Sequence, residues 1–160
     1  MTVVALIAGM VIVAAALVLN RPTPPDLTIV RATAPAGIPT SGRTLGAAGA
    51  PVVIDLYEDF QCPACARWGE NVLPGLVANE LASGTVKIAF HGFAFLGPES
   101  KWAEQAAWAA EKQDRFWDMW ATLYANQGLR ENAGAFERDR LIAMADVLGL
   151  DPVRFVADLD

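Results

Sequence analysis

At 160 residues the chain has room for one domain of ordinary size and a short extra segment. Its formal charge of −6 excludes the basic footprint that nucleic-acid binding needs, so no nucleic-acid partner is expected. The hydrophobic share, 54%, exceeds the globular average, and the excess is concentrated at one end.

Thr2 to Leu19 reads TVVALIAGMVIVAAALVL, without a charge. It is about as long as a hydrocarbon core of roughly 30 Å requires of a helix. It is longer than the apolar part of a signal peptide, roughly 7–15 residues, and no Lys or Arg precedes it. Residues 1–20 are therefore expected to be a retained transmembrane anchor. The flanking charges, Arg21, Arg31 and Arg43, all follow the run and by themselves weakly favour a cytoplasmic domain. Residues 21–49, rich in Pro, Thr, Ala and Gly and without an apolar period, read as a linker stiffened by its prolines.

A domain is expected over 50–160. PVVIDLY (Pro51 to Tyr57) is β-branched and predicts a strand, with Val52, Ile54 and Leu56 on one face and Val53, Asp55 and Tyr57 on the other. A helix follows from Pro63, which suits a first helical turn; Pro74 kinks or splits it and Gly84 ends it. Thr85 to Phe95 predicts a second strand. A strand, helix and strand of these lengths form a βαβ unit with parallel strands. From Gly97 the pattern is helical. Trp102, Ala106 and Ala109 share one stripe; Phe116, Met119, Trp120, Leu123 and Tyr124 form an aromatic stripe that reads as helix packing; Leu141, Met144, Ala145 and Leu148 precede a closing Gly149. Asp151 and Pro152 then open another helix within about two turns of the last residue.

Cys62 and Cys65, in YEDFQCPACA, are the two cysteines of the chain. A zinc site needs four ligands, and the remaining histidine, His91, ends a strand, where it reads as an ordinary polar residue. A c-type haem needs a His where Ala66 stands, and iron–sulfur clusters need more thiolates. No metal or cofactor is expected. A purely structural disulfide closing so small a loop stabilises little. A redox dithiol fits better: i, i+3 spacing on a helix brings the Cα atoms within the roughly 4.4–6.8 Å a disulfide spans. At the helix start, Cys62 meets unpaired N–H groups and the positive end of the dipole, which favour a thiolate, so it is the expected attacking sulfur. Cys65, one turn in, is the expected resolving thiol.

APVVIDLYEDFQCPACARW, and later AEQAAWAAEKQDRFWDMWATLYANQ, resemble the DsbA-like branch of the thioredoxin superfamily, in particular its membrane-anchored bacterial thiol-disulfide oxidoreductases. The likeness covers roughly residues 43–160. It implies an α/β thioredoxin fold interrupted by a helical insertion at about 98–150, and an extracytoplasmic domain, overriding the Arg count. It implies exported protein thiols as substrates and a membrane redox partner that reoxidises the dithiol. Cys62 and Cys65 match the family's nucleophilic and resolving positions, with Pro63 and Ala64 between them. Three departures stand out. The dipeptide is Pro-Ala, not the Pro-His of strongly oxidising members. The family's buried carboxylate, six residues before the first Cys, is replaced by Leu56; Asp55 points to the other face, while Glu58 and Asp59 lie near the loop, and Glu58 is assigned as proton acceptor. The cis-proline loop and closing ββα would follow residue 160, so a fragment, or a partner covering an open sheet edge, is expected.

The leading expectation is an oxidoreductase. The alternative is a non-catalytic thioredoxin-like accessory subunit of a membrane complex. A copper-delivery role through the dithiol gains little from Met119 and Met144, which read as core.

Overall fold

The computed structural model of the protein describes residues 28–160. The expected anchor, residues 1–20, and the start of the expected linker lie outside the described residues. Among those described, no helix is long and apolar enough to cross a membrane.

Two strands carry the fold. In β3 (Val52–Glu58) and β4 (Val86–Gly92), parallel pairing runs from Val52 opposite Val86 to Glu58 opposite Gly92. This register sets Ile54 and Leu56 beside Ile88 and Phe90 on the core side. Val53, Asp55 and Tyr57 lie beside Lys87, Ala89 and His91 on the other, as the period-two alternation of a strand requires. The crossover begins with α1 (Pro63–Asn71), breaks ahead of Pro74, and resumes as α2 (Leu73–Leu76). A proline cannot donate into the preceding turn, so the helix splits there. A π-helical turn, Val77–Leu81, follows, and Gly84 ends the crossover at φ +73°.

The expected linker gives way to sheet at Thr40. β1 (Thr40–Ser41) and β2 (Thr44–Gly46) form a hairpin, and β2 pairs antiparallel with β4, giving the order β1-β2-β4-β3. Strands of two and three residues are too short to show an alternation, which is why the sequence does not announce them. Leu45, opposite Ile88, is fully buried and ties the hairpin to the core. The hairpin covers the far edge of β4. The open edge expected of the sheet is the outer edge of β3, for which no pairing strand exists among the described residues.

The helical insertion covers the core side. α3 (Pro98–Glu111) buries Ala103, Ala106, Ala107 and Ala110, small side chains that let α4 (Phe116–Ala125) and α6 (Pro152–Leu159) pack closely. Trp102, expected on the inner stripe, is 42% exposed; the inward stripe of α3 is set by alanines, one position round from the tryptophan. α4 buries Phe116, Trp117, Met119, Trp120 and Leu123. Together Phe60, Phe90, Phe116, Trp117, Trp120 and Tyr124 close a ring of aromatic contacts with centroids 4.9–5.6 Å apart, joining sheet to insertion. α5 (Arg138–Val147) buries Leu141, Met144 and Ala145. The Asp151 carboxylate caps α6 by accepting from the N–H groups of Val153 and Arg154, at 2.9 and 3.0 Å.

Gly46 sits at φ +114°, and a Cβ there would lie 2.9 Å from the Val86 carbonyl oxygen and from Lys87 Cα. Replacing Gly46 with Ala combines backbone strain with a clash in the β2–β4 ladder, so a loss of about 1–3 kcal/mol is expected, read as a lower denaturant midpoint.

Candidate functional site

The end of β3 runs directly into the dithiol. The chain turns through Asp59, Phe60 and Gln61, closed by Cys62 N–H donating to the Asp59 carbonyl at 2.9 Å. Cys62 is the N-cap residue of α1, in extended conformation, with Pro63 at the first helical position. Its carbonyl accepts from Ala66 N–H at 3.2 Å. The side chain therefore stands at a helix start whose first amides lack intrahelical partners. Pro63 and Ala64 are exposed; Cys62 and Cys65 are partly buried free thiols. Burial first, then the Cys62 thiol's hydrogen bond and charge and the Glu58 charge, push Cys65 up to about 12; a hydrogen bond with the Asp59 backbone opposes them.

Beneath the helix start lies Glu58, 3% exposed. Its Oε2 accepts from Trp120 Nε1 at 2.9 Å and from the Tyr124 hydroxyl at 3.2 Å. Oε1 is buried without a hydrogen-bond partner among the described residues. Burial raises Glu58 to about 7, against the two hydrogen bonds, which lower it. The same burial, with the Glu58 charge, raises Tyr124 above its ordinary range. Leu56, six residues before Cys62, packs on the core side. Asp55 lies on the opposite face, bonded to His91 Nε2 at 2.8 Å, and His91 stacks on Tyr57. His91 is thus part of an exposed strand-face pair.

The two other polar residues ahead of Cys62 are clamps. Asp59, 1% exposed, accepts from Gln61 N–H through Oδ1 (2.8 Å) and from Phe95 and Leu96 N–H through Oδ2 (2.8 and 2.9 Å). Gln61 donates to Ser100 Oγ (2.8 Å) and accepts from Asn132 N–H (2.6 Å). Gln127 donates to the Phe60 carbonyl at 2.8 Å. The sequence pointed to Glu58 through its proximity to the cysteines, but its partners Trp120 and Tyr124 are more than sixty residues away, and nothing local announces them.

Residues 40–149 match the family model described as Thioredoxin, and the chain belongs to that family. Within it, the chain is similar to a probable disulfide bond formation protein D of Bacillus cereus, 38% identical over 87 residues, 53% of this chain and 40% of the relative. Disulfide bond formation protein D of Bacillus subtilis is 31% identical over 85 residues, 52% of this chain and 38% of the relative. The chain thus spans about two fifths of the length of these curated relatives in the matched region. Among solved structures, oxidised BdbD from Bacillus subtilis superposes with a TM-score of 0.69 at 26% identity, covering 81% of this chain and 72% of BdbD. Alpha-DsbA1 from Wolbachia pipientis, at 16% identity and a TM-score of 0.64 over 80% of this chain and 62% of its own, shares the fold.

Folded Glu58 keeps its proton to about pH 7, whereas an unfolded one releases it near 4.5. The native state therefore binds more protons across that window, and stability falls as pH rises through it, by at most about 3 kcal/mol. Glu58→Gln lacks this loss: denaturant titrations of the reduced protein should show the variant gaining on the wild type between pH 4.5 and 7, and level with respect to it above. Asp59→Ala strands one buried and two part-buried N–H groups and should cost about 3 kcal/mol, with Asp59→Asn intermediate.

Proposed function

We propose that this protein is a thiol-disulfide oxidoreductase that works through Cys62 and Cys65 on the thiols of exported proteins, held at the cell membrane by its N-terminal apolar segment with the domain on the extracytoplasmic side. The observation that carries the reading is the pair of free thiols, Cys62 at the N-cap of α1 and Cys65 within its first turn, directly after a sheet strand. Similarity to the Bacillus disulfide bond formation proteins supports it.

In the oxidising direction a substrate thiolate attacks Cys62 Sγ of the Cys62–Cys65 disulfide. A mixed disulfide forms on Cys62, the Cys62–Cys65 bond breaks, and Cys65 leaves as a thiolate. A second substrate thiolate then attacks the substrate sulfur, releasing an oxidised substrate and leaving both cysteines reduced. Two electrons pass from substrate to dithiol, and a membrane partner that accepts them restores the disulfide. Cys65 is strongly proton-retaining, so its thiolate is protonated on leaving and must lose that proton to act again. Glu58, poised near neutrality and coupled to Cys65 by charge, is suited to give and take it. Pro63 presets the helix start, and Ala64, without a polar group, leaves the Cys62 sulfur to the backbone amides.

A second reading, a thioredoxin-like accessory subunit of a membrane complex, draws on the open edge of β3 and the exposed Val52, Val53 and Tyr57. Stoichiometric co-purification with a membrane assembly, together with no exchange activity, would favour it.

Cys65→Ser should accumulate mixed disulfides with exported proteins, visible as reductant-sensitive bands; none above the Cys62→Ser background would sink the enzymatic reading. Glu58→Gln should slow the turnover of those adducts in the otherwise wild-type dithiol protein, on the order of 10²-fold, with binding of substrate unchanged.

A further inference from the structure

Val30 to Ala34 lie along α4 and are bonded to it at every second residue. Val30 N–H donates to Asn126 Oδ1 (2.9 Å), and Asn126 Nδ2 donates back to the Val30 carbonyl (2.7 Å). Ala32 N–H donates to Thr122 Oγ1 (3.2 Å), and the Thr122 hydroxyl donates to the Ala32 carbonyl (2.8 Å). Ala34 N–H donates to Asp118 Oδ1 (2.8 Å). Two residues of extended chain advance about 6.6 Å and four residues of helix about 6 Å, so the two periods stay matched over the three contacts. Ile29 and Ala34 also pack against the core. The segment is a strap with a defined place.

Its direction matters more than its strength. Ala34 sits at the first turn of α4 and Val30 just past its last, so the strap runs antiparallel to the helix. The C-terminal end of α4 is the dithiol end: Tyr124 reaches Glu58 there, and Gln127 reaches Phe60. Followed toward the N-terminus, the chain leaves the domain at the end that carries Cys62. Asp118, Thr122 and Asn126 lie on the stripe of α4 opposite Trp120 and Tyr124, so the strap and Glu58 flank the helix on its two sides.

We propose that this strap is a specificity element: by starting the tether at the dithiol end of the domain it keeps Cys62 close to the surface that holds the N-terminal segment, so that it exchanges with polypeptide thiols at the bilayer in preference to thiols free in the compartment. The inference rests on the oxidoreductase and anchor readings above. Val30 lies eleven positions after Leu19, the end of the apolar run. At 3.3–3.6 Å each they span at most about 40 Å. With the strap loose the chain would be free as far as Ile38, which packs against the core nineteen positions after Leu19, or about 68 Å. Docking therefore shortens the reach by roughly two fifths and starts the tether at the dithiol end of the domain.

The test uses the full chain reconstituted in phosphatidylcholine–phosphatidylglycerol vesicles. It compares disulfide formation in one dithiol peptide supplied in two forms, anchored to the vesicles by an acyl chain or free in solution. The wild type should oxidise the anchored form in preference to the free one. Val30→Pro combined with Ala32→Pro removes two strap donors without altering α4, and Thr122→Val combined with Asn126→Ala removes the facing groups. Both should lower the anchored-to-free rate ratio several-fold, with exchange against oxidised glutathione unchanged. An unchanged ratio in the proline variant, with the protein still on the vesicles, overturns the strap's role. Release of the wild type by alkaline wash overturns the anchor reading, and absence of glutathione exchange overturns the oxidoreductase reading, so the three failures are distinct.

Discussion

The carboxylate of Asp59 is buried between the two chain segments that leave the parallel strands, and it holds three backbone N–H groups, one from Gln61 and two from Phe95 and Leu96. A buried charge is tolerable only when its lone pairs are occupied, and here they are occupied by backbone that has no other role in the sheet. The consequence is geometric. The turn after β3 cannot move relative to the turn after β4, so Cys62 enters its helix at a fixed place over the sheet. Gln61 extends the same constraint to Ser100 and Asn132, and Gln127 to Phe60, so the insertion is tied to the dithiol loop by polar bonds as well as by packing.

Below this clamp the ring of six aromatic side chains provides a low-dielectric floor. Glu58 lies at its rim with one oxygen bonded to Trp120 and Tyr124 and the other without a partner among the described residues. Desolvation explains why this carboxyl is raised to about 7 and why Cys65 clings to its proton, and the Glu58 charge raises Cys65 further. A protein whose Leu56 forbids a carboxylate deeper in the strand thus carries its buried acid two residues later, on the segment that turns into the helix.

The core elements were legible because they are long and strongly periodic. Val52–Glu58 and Val86–Gly92 announce themselves by β-branched and aromatic content, α4 by its apolar stripe, and the break before Pro74 by the chemistry of one ring. The β1–β2 hairpin was not legible, since five strand residues bounded by Gly and Pro look the same whether they pair or hang free. Nor was the outward face of Trp102, because a stripe of alanines gives weak hydrophobic contrast to say which side of α3 is buried. The strap at Val30–Ala34 escaped for another reason: it is held by side chains some ninety residues away, and its own residues carry no pattern.

By itself the sequence determined the placing of two thiols at a helix start after a strand, since spacing, Pro63 and the β-branched run are local and need no partner. It also determined membership of the thioredoxin family over residues 40–149. Only the tertiary structure decided which carboxylate is buried beside them, which residues hold it, and at which end of the domain the N-terminal chain departs. Those outcomes depend on desolvation and on hydrogen bonds between segments distant in sequence, and neither quantity exists until the insertion has closed over the sheet.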